Sequence, residues 1–351
     1  MKKKRKFGLK KIIIWLLAFT LLAAIAVGYL AYHYVFKTNI NLTREEITYL
    51  YIPTGSSYED VVSMLKQEDL IIDTKTFKWV AKQKNYPNHV RAGRYRITAG
   101  MNNNELVNML RSGAQQPLNI TFTNIRTKEQ LAGHIALRIE ADSASIINLL
   151  NNDEVMSKYG LDSESAALLF MPNTYEFFWN TSAEQLLQRM HREYHRFWNE
   201  NRLQKAAAMN MTPVEVGVLA SIVQQETTKA DEMDRIAGVY INRLKRGMPL
   251  QADPTVVFAH RDFAMTRVLK RHLEIDSPYN TYKYRGLPPG PITLPSPAAI
   301  DSVLEYEKHE YLYFCAREDF SGYHAFARTY QQHLINARRY QQELNRRNII
   351  R

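Results

Sequence analysis

The segment TPVEVGVLASIVQQET, Thr212–Thr227, has a good helix-start signature. A Thr cap is followed by Pro at the first helical position and by Glu three residues after the cap, which is typical of a helix N-terminus. We predict that the segment after the cap is a helix. The apolar residues Leu219, Ile222 and Val223 share one face of it, and at helical spacing this face continues to Glu226.

A glutamate is out of place on a core-facing stripe, because a desolvated carboxylate is costly. Partial burial raises the pKa of a carboxyl, and the negative end of the helix dipole opposes its ionisation as well. Glu226 could therefore stay protonated near neutral pH, as a general acid that protonates a leaving oxygen must. The alternative is an exposed glutamate at a fraying helix end, or one paired with Lys229 or Arg235.

Other acidic residues nearby have simpler explanations. Glu215 is expected to be part of the helix cap, while Asp231, Glu232 and Asp234 suit the first turn of the next helix, where negative charge is favourable. Asp253 is harder to explain in this way, since it precedes a proline in an otherwise apolar stretch.

The last third of the chain alternates short strands with helices, which predicts an α+β fold with a mixed sheet in this part. After the first helix we predict a second from about Ala230 to Arg246, ended by a glycine. The remaining segments are the stretch Gln251–Phe258, a Pro/Gly loop at Arg285–Pro297, hairpin strands at Tyr311–Ala316 and Tyr323–Arg328, and a polar helix at Tyr330–Arg347.

Upstream, we predict a small α+β domain at residues 47–115. Two of its segments resemble each other, PTGSSYEDVVSML at Pro53–Leu65 and TAGMNNNELVNML at Thr98–Leu110. Each has a Gly, then a polar N-cap cluster, then a matching apolar stripe. The other predicted elements here are a strand at Ile47–Ile52, a helix at Thr74–Lys84 and a strand at Gly93–Thr98.

Residues 116–210 form a predicted intermediate region. Its elements are a strand at Pro117–Phe122, a helix at Thr127–Ala141, a helix from Ala144 to Leu150, a polar connection at Asn151–Ser163, an aromatic segment at Leu168–Trp179 and a helix at Ser182–Asn199. We take residues 211–351 as the catalytic domain.

The net charge of the 351-residue chain is +11, and it is unevenly distributed. Seven Lys or Arg residues and no acid precede residue 12, which leaves only +4 for the remainder. Nucleic-acid binders carry basic residues as a stripe on the folded domain, so we predict no nucleic-acid partner. A single cysteine, Cys315, excludes an internal disulfide framework and a Cys-rich zinc site.

An apolar run, Ile12–Phe36, follows the basic tail of residues 1–11 and contains no Asp, Glu, Lys or Arg. About 20 such residues suffice to cross a bilayer, and a basic flank stays in the cytoplasm. We predict a single-pass anchor in the cell (inner) membrane, a polar stem at residues 37–46 and a catalytic domain on the outer, periplasmic side. The alternative is a signal peptide cleaved near Ala24-Ile25-Ala26.

Several motifs occur in a recognisable order. They are FMPNTYEF at Phe170–Phe177, SIVQQET at Ser221–Thr227, VYINRLKRGMPLQADPTVVFA at Val239–Ala259, SPYNTYKYRGLPPGPI at Ser277–Ile292 and GYHAFA at Gly322–Ala327. In sequence and spacing they resemble the motifs of the endolytic murein transglycosylase family, the MltG or YceG-like proteins. The chain departs from the family pattern at Ala167-Leu168, Met171 and Asn173.

The resemblance implies that residues 47–115 are a LysM-like subdomain and that Glu226 is the catalytic acid. It implies cleavage of the MurNAc-β-1,4-GlcNAc bond within nascent peptidoglycan strands, leaving 1,6-anhydro-MurNAc ends and terminating strand elongation. Within the family-like motifs, the candidate substrate-binding residues are Gln251, Asp253, Asn280, Thr281, Tyr282 and His324. The expected partners are glycan strands, the lipid bilayer and peptidoglycan polymerases.

The reaction needs only one carboxyl group, since the sugar's own 6-hydroxyl replaces both the water and the second carboxylate of a hydrolase. If Asp253 lies close to Glu226, it could stabilise positive charge or raise the pKa of Glu226. No cofactor is expected. His191 and His195 are four apart on a helix, but their charged neighbours favour a solvated face over a metal site.

Three other functions fit parts of the sequence. A non-catalytic scaffold would use residues 47–115 to hold glycan and the anchor to join a synthesis complex. A pyridoxal-phosphate lyase would need a Schiff-base lysine in the cytoplasm, which the predicted orientation of the anchor disfavours. A retaining or inverting hydrolase would leave reducing ends on the glycan in place of anhydro ends.

Overall fold

The computed structural model describes residues 7–43 and 46–347. Most of the predicted basic tail, Met1 to Lys6, lies outside the described residues, as do the two stem residues 44 and 45. The chain divides into two compact units, residues 1–118 with 176–180, and residues 119–175 with 181–351. The predicted domain boundaries at 115/116 and 210/211 stay predictions.

The first unit begins with an apolar helix that is followed by an α+β core. Its elements are α1 (Phe7–Phe36), β1 (Ile47–Ile52), α2 (Tyr58–Gln67), α3 (Thr74–Gln83), β2 (Gly93–Thr98) and α4 (Asn103–Ser112). The two strands pair antiparallel, from Ile47 opposite Thr98 to Ile52 opposite Gly93. In length and composition, Lys10–Phe36 is suited to crossing a membrane.

The internal repeat of the first unit is visible as matching helix starts 45 residues apart. Ser57 and Asp60 form a capping box on α2, and Asn102 and Glu105 form the same box on α4. The buried residues match as well: Val61, Val62 and Leu65 on α2 correspond to Leu106, Val107 and Leu110 on α4. Both predicted helices are confirmed.

The segment predicted as a polar stem is partly built into the core of the first unit. Asn39 and Ile40 are buried, and the Asn39 side-chain amide donates to the side-chain oxygen Oδ1 of Asn103 at 2.8 Å. The Asn103 amide in turn donates to the backbone oxygen of Tyr34 in α1 at 2.9 Å. A buried amide needs such partners, so the end of α1 is tied to the helices it contacts, α3 and α4.

From residue 118 onward the chain is mainly helical. Its elements are β3 (Leu118–Thr121), α5 (Lys128–Ala136), α6 (Ser143–Leu150), α7 (Asp153–Ser157), β4 (Thr174–Phe177), α8 (Ala183–Phe197), α9 (Glu200–Ala208), α10 (Pro213–Glu226), α11 (Met233–Lys245), α12 (Asp253–His260), α13 (Pro297–Leu304), β5 (Tyr313–Ala316), β6 (His324–Ala327) and α14 (Tyr330–Arg346).

Helix α10 is the centre of the second unit. It starts with the predicted capping box between Thr212 and Glu215, with Pro213 at its first position. Every residue from Val216 to Val223 is buried, so the middle of the helix has no solvent face, and the predicted single stripe understates its burial. It packs against α11, α12 and α13, and its C-terminal residue is Glu226.

The expected mixed sheet is wrong for the part of the chain that the structure describes. The strands of the last third, β5 and β6, form one antiparallel hairpin, and the other strands pair as β1 with β2 and β3 with β4. The predicted hairpin is therefore confirmed, but helices are present where a larger sheet was predicted. The α+β class itself is confirmed.

Some helix boundaries differ from the predictions. The helix predicted at 127–141 ends at Ala136, and the connection predicted at 151–163 contains α7, which Asn152 caps by accepting the Val155 N–H at 3.1 Å. The second helix predicted from Ala230 starts with a 3₁₀ turn and becomes α-helical at Met233.

Candidate active site

The candidate site is centred on Glu226, the last residue of α10. The hydroxyl of Tyr240, on α11, donates a hydrogen bond to Oε1 of Glu226 at 2.5 Å. This contact follows from the packing of α10 against α11, because the Tyr240 ring is itself fully buried between them. The predicted alternative, an ion pair with Lys229 or Arg235, is wrong: Arg235 pairs with Glu307 at 2.8 Å.

Burial of the Glu226 carboxyl raises its pKa to about 7, from an ordinary value of 4.5. The hydrogen bond from Tyr240 favours the carboxylate and lowers the pKa, while the negative charge of Asp253 raises it. Desolvation is the largest of these effects, so a substantial fraction of Glu226 is protonated at neutral pH. The predicted elevation of this pKa is confirmed, with Asp253 as one of its causes.

Asp253 is the first residue of α12 and is exposed. Its Oδ1 accepts a hydrogen bond from the Tyr282 hydroxyl at 2.5 Å. Because a tyrosine hydroxyl that donates to a carboxylate resists losing its proton, the pKa of Tyr282 is raised, with burial as the largest cause. The pair holds a negative charge beside Glu226.

Arg243 lies one turn beyond Tyr240 on α11 and is only 7% exposed. Its Nε donates to the backbone oxygen of Leu312 at 2.6 Å and its Nη1 to that of Leu250 at 2.7 Å. Burial lowers the pKa of this guanidinium. Its positive charge counters part of the effect of burial on Glu226.

Two cavities, each of about 380 Å³, meet at Glu226 and Asp253, which line both. We call them the arginine cavity and the aromatic cavity. The arginine cavity is lined, beyond the shared acids, by Arg126, Gln225, Val257, Phe263, Met265 and Arg267, among others. The aromatic cavity is lined by Arg243, Tyr282, Tyr313, Phe314, Tyr330 and His333, among others.

Three of the predicted substrate-binding residues line these cavities. Gln251 and Tyr282 line the aromatic cavity, and Asp253 lines both. Gln251 adopts φ +52°, a left-handed conformation that is uncommon for a residue with a side chain, and its N–H donates to the Thr281 carbonyl at 3.1 Å. That turn exposes the Gln251 amide at the cavity wall.

The prediction that Asn280 and Thr281 bind substrate is wrong, since both are buried in the core and cannot contact a glycan. Asn280 is 0% exposed, and its amide donates to the carbonyls of Leu273 and Ile275, each at 2.9 Å. The Thr281 hydroxyl accepts the Ala252 N–H at 3.0 Å, just before α12 begins. These two residues position the loop that carries Tyr282.

His324 pairs with a buried acid and is not among the residues that line the two cavities, and its predicted role in substrate binding stays a prediction. Its Nδ1 lies 2.7 Å from Oε2 of Glu232, and its backbone N–H donates to Oε1 at 2.8 Å. Glu232, expected in the first turn of the next helix, is 2% exposed and makes no side-chain cap. The pair joins the start of α11 to strand β6.

Sequence analysis missed Tyr240, Arg243 and His333. Tyr240 has an apolar ring in the buried stripe of α11, and only its hydroxyl signals a role. Arg243 is one turn away on the same helix. His333 of α14 stacks on Tyr313, with ring centroids 5.5 Å apart, and burial lowers its pKa. In the described residues, no cluster of three or more His, Cys, Asp or Glu could hold a metal ion.

The chain is similar to known proteins over most of its length. The model of the YceG-like family matches residues 50–339. An endolytic murein transglycosylase from Bacillus subtilis (strain 168) is 33% identical over 321 residues, covering 85% of this chain and 83% of that protein. Two proteins of the same name from Streptococcus pneumoniae strains, D39 and R6, are 29% and 28% identical.

Each streptococcal match covers 82% of this chain, and the chain spans 58% of the length of those relatives. Among solved structures, the 2.6 Å crystal structure of a yceG-like protein from Listeria monocytogenes aligns with a TM-score of 0.54 and 28% identity. The alignment covers 83% of this chain and 98% of the Listeria chain.

Proposed function

The chain belongs to the YceG-like family, and from this premise we propose that it is an endolytic murein transglycosylase, a lyase that cuts peptidoglycan glycan strands internally. The names of the relatives support the substrate and the enzyme class. The observation that carries the proposal is Glu226, a half-buried residue whose desolvated carboxyl has its pKa raised to about 7 where two cavities meet.

In the first step Glu226 gives its proton to the glycosidic oxygen, the C1–O bond of the MurNAc residue breaks, and oxocarbenium character builds at C1. The Glu226 carboxylate then takes the proton of the 6-hydroxyl as that oxygen bonds to C1, which gives the 1,6-anhydro ring. The tethered hydroxyl needs no bound water. Tyr240 stabilises the carboxylate between the two steps through its hydrogen bond.

Asp253 suits an electrostatic role beside Glu226. Its charge opposes ionisation of Glu226 before the reaction and attracts the positive sugar ring as the bond breaks. Its Oδ1 is held in place by the hydrogen bond from the Tyr282 hydroxyl. Glu226 would supply the proton for the leaving oxygen, and the negative charge of Asp253 would stabilise the positive charge of the transition state.

The position of the acid between two cavities supports cutting within a strand. An enzyme that acts internally must bind sugars on both sides of the bond that it cleaves. The aromatic cavity presents tyrosine and phenylalanine rings, whose apolar faces suit the flat faces of pyranose rings. The arginine cavity would hold the sugars on the other side of the bond.

The apolar helix α1 supports a single-pass anchor in the cell membrane, with the basic tail in the cytoplasm and the remaining chain outside. At that surface the enzyme would meet newly made glycan strands and the polymerases that extend them, and its cut would end elongation. The proposed partners are therefore glycan strands, bilayer lipid and membrane-bound polymerases.

The test is digestion of purified sacculi by the full chain in detergent, with mass spectrometry of the products. We expect internal fragments with anhydro ends, and a rate that falls roughly 10²–10⁴-fold in Glu226→Gln, the usual contribution of a general acid. Glu215→Gln is the matched control on the same helix, because it removes a capping-box carboxylate and leaves the cavities unchanged.

Different products would contradict the proposal in different ways. Reducing ends in place of anhydro ends would make the protein a hydrolase, with Asp253 as the second carboxylate. Intact glycan that binds to the protein and is never cut would make it a scaffold. An unchanged rate in a folded Glu226→Gln variant would remove Glu226 from the mechanism.

A further inference from the structure

We propose that the arginine cavity is a subsite for an anionic substituent of the glycan, a carboxylate attached to the muramyl residue, and that Arg126 is the side chain that recognises it. The inference rests on the proposed function and deepens it, because it makes the charge of the substituent a determinant of which strands are cut. The sugar backbone itself is uncharged, so any recognition of charge must involve its substituents.

Arg126 is a half-buried cation without an acidic partner among the described residues. Its Nη2 donates to Oε1 of Gln225 at 2.9 Å, and its guanidinium carbon lies 5.0 Å from the centre of the Phe263 ring. A guanidinium has five N–H donors in a planar fork, and those two contacts use one. By contrast Arg202, another arginine of this unit that lies over a phenylalanine, is paired with Asp301 at 2.8 Å.

The position of Arg126 relates it to the reaction. Its partner Gln225 immediately precedes Glu226, and both line the arginine cavity. A second cation, Arg267, lines the same cavity, together with the apolar residues Val257, Phe263 and Met265. Guanidinium groups bind carboxylates well, because the planar fork matches two carboxylate oxygens.

The aromatic cavity differs, and that difference makes the assignment specific. Its cation, Arg243, lies in the last turn of α11 and already donates to the carbonyls of Leu312 and Leu250. The remainder of its wall is mainly rings. Uncharged sugars therefore suit the aromatic cavity, and a sugar with a carboxylate substituent suits the arginine cavity.

Two substituents of peptidoglycan carry a carboxylate. One is the stem peptide, and the other is the lactyl group, whose carboxylate is free once an amidase has removed the peptide. Three strands of equal length distinguish them: strands with peptides, strands stripped to the free lactyl carboxylate, and stripped strands whose lactyl groups are converted to neutral methylamides. The full chain in detergent is tested on each strand, and kcat/KM is obtained from the anhydro ends formed.

We expect the neutral strands to be cut about 10-fold or more less efficiently than at least one anionic strand, the effect of losing a charged hydrogen bond. The anionic strand that is cut faster identifies the source of the carboxylate. Arg126→Gln should lower this ratio to about one, and Arg126→Lys, which keeps the charge and loses the fork, should retain part of it.

The control is Arg261→Gln. Arg261 is an arginine that lies outside both cavities, over Phe258 and 3.8 Å from Glu129, so the variant should keep the wild-type ratio. Equal cutting of all three strands by the wild type would overturn the inference, and so would an Arg126→Gln variant that slows all three equally, since that is a structural effect.

Binding makes the test independent of the proposed chemistry. Calorimetry with Glu226→Gln and the same three strands should show weaker binding of the neutral strand, and Arg126→Gln added to it should remove the difference. Equal affinities would overturn the inference. If no strand yields anhydro ends, the proposed function fails, and the binding result still decides the subsite.

Discussion

At the scale of residues, the site combines opposing effects on one carboxyl group. The hydroxyl of Tyr240 and the charge of Arg243 favour ionised Glu226, whereas burial and the charge of Asp253 oppose ionisation, and burial dominates. The pKa of about 7 leaves Glu226 able both to give a proton and to take one back. One residue can then act as acid and as base in successive steps.

The role of Tyr240 gives a prediction about pH dependence. A general acid is active while protonated, so activity should fall on the alkaline side as the pH passes the pKa of Glu226, about 7. Tyr240→Phe removes a hydrogen bond that lowers this pKa, so the alkaline limb should move upward by up to about one pH unit. The measurement is kcat/KM against pH.

A matched control is Tyr95→Phe. That substitution removes a buried tyrosine hydroxyl, donating to the Arg91 carbonyl at 2.8 Å, in the other unit. It should leave the pH profile unchanged. A Tyr240→Phe profile that coincides with the wild type, or one that moves downward, would show that the hydrogen bond does not tune Glu226.

At the scale of elements, the Pro/Gly loop at 285–297 is partly buried in the second unit. A loop of this composition suggests a surface connection or an exposed rim, yet Ile292, Thr293 and Leu294 are buried. The Ile292 N–H donates to the Ser221 hydroxyl on α10 at 3.0 Å, and the Leu294 N–H donates to the Ile125 carbonyl at 2.9 Å. The loop thus packs against the helix that carries Glu226.

Gly290 shows how closely this loop is packed, and it gives a prediction about stability. A Cβ at this position would lie 2.2 Å from the backbone oxygen of Glu164, and backbone cannot move aside as a flexible side chain can. Gly290→Ala should destabilise the protein by about 1–3 kcal/mol or more, the usual cost of overpacking. Urea unfolding measures the change.

The control for this prediction is Gly133→Ala. Gly133 is in the interior of α5 with nothing within 4 Å of the added atom. Alanine there should stabilise the protein by about 0.5–1 kcal/mol, because glycine is a poor helix former. A Gly290→Ala variant as stable as the wild type would mean that the loop can shift without cost.

At the scale of the whole molecule, the first unit connects the apolar helix to the remaining chain. Tyr34, near the end of α1, packs edge-on against Trp79 of α3 with ring centroids 5.8 Å apart, and Asn103 of α4 donates to its carbonyl. The burial of Asn39 and Ile40 continues this connection beyond the helix. A free stem would have left all these groups in water.

The proposed anchor can be tested in cells. The full chain should pellet with membranes after an alkaline carbonate wash, and protease added outside spheroplasts should digest it down to a fragment that retains α1. Replacing both Leu21 and Leu22 by Arg should release it from the pellet, because each charge at the centre of a span costs about 2.5–3.5 kcal/mol. Ser in place of Thr20 is a matched neutral control.

Two outcomes would contradict this placement. Complete protection from external protease would reverse the orientation, and release of the wild-type chain by carbonate would mean that α1 is not an integral span. Recovery of a mature chain that begins after Ala26 would identify the segment as a signal peptide.

What the sequence determined by itself is local. Capping boxes join residues three apart, so the starts of α2, α4 and α10 could be predicted from Ser57, Asn102 and Thr212 and their partners. The hairpin and the internal repeat depend on equally short-range patterns. A carboxylate at the end of an apolar helix conflicts with its surroundings, which made Glu226 a candidate, and the resemblance to the family motif selected it as the predicted catalytic acid.

The tertiary structure alone decided which polar groups face the cavities. Asn280 and Tyr282 are two residues apart, yet one is buried and holds a loop while the other lines the site. Glu232 pairs with His324, 92 positions away. Burial and pairing depend on which distant segments pack together, and a polar residue looks the same in sequence whether its partner is a backbone carbonyl or a substrate.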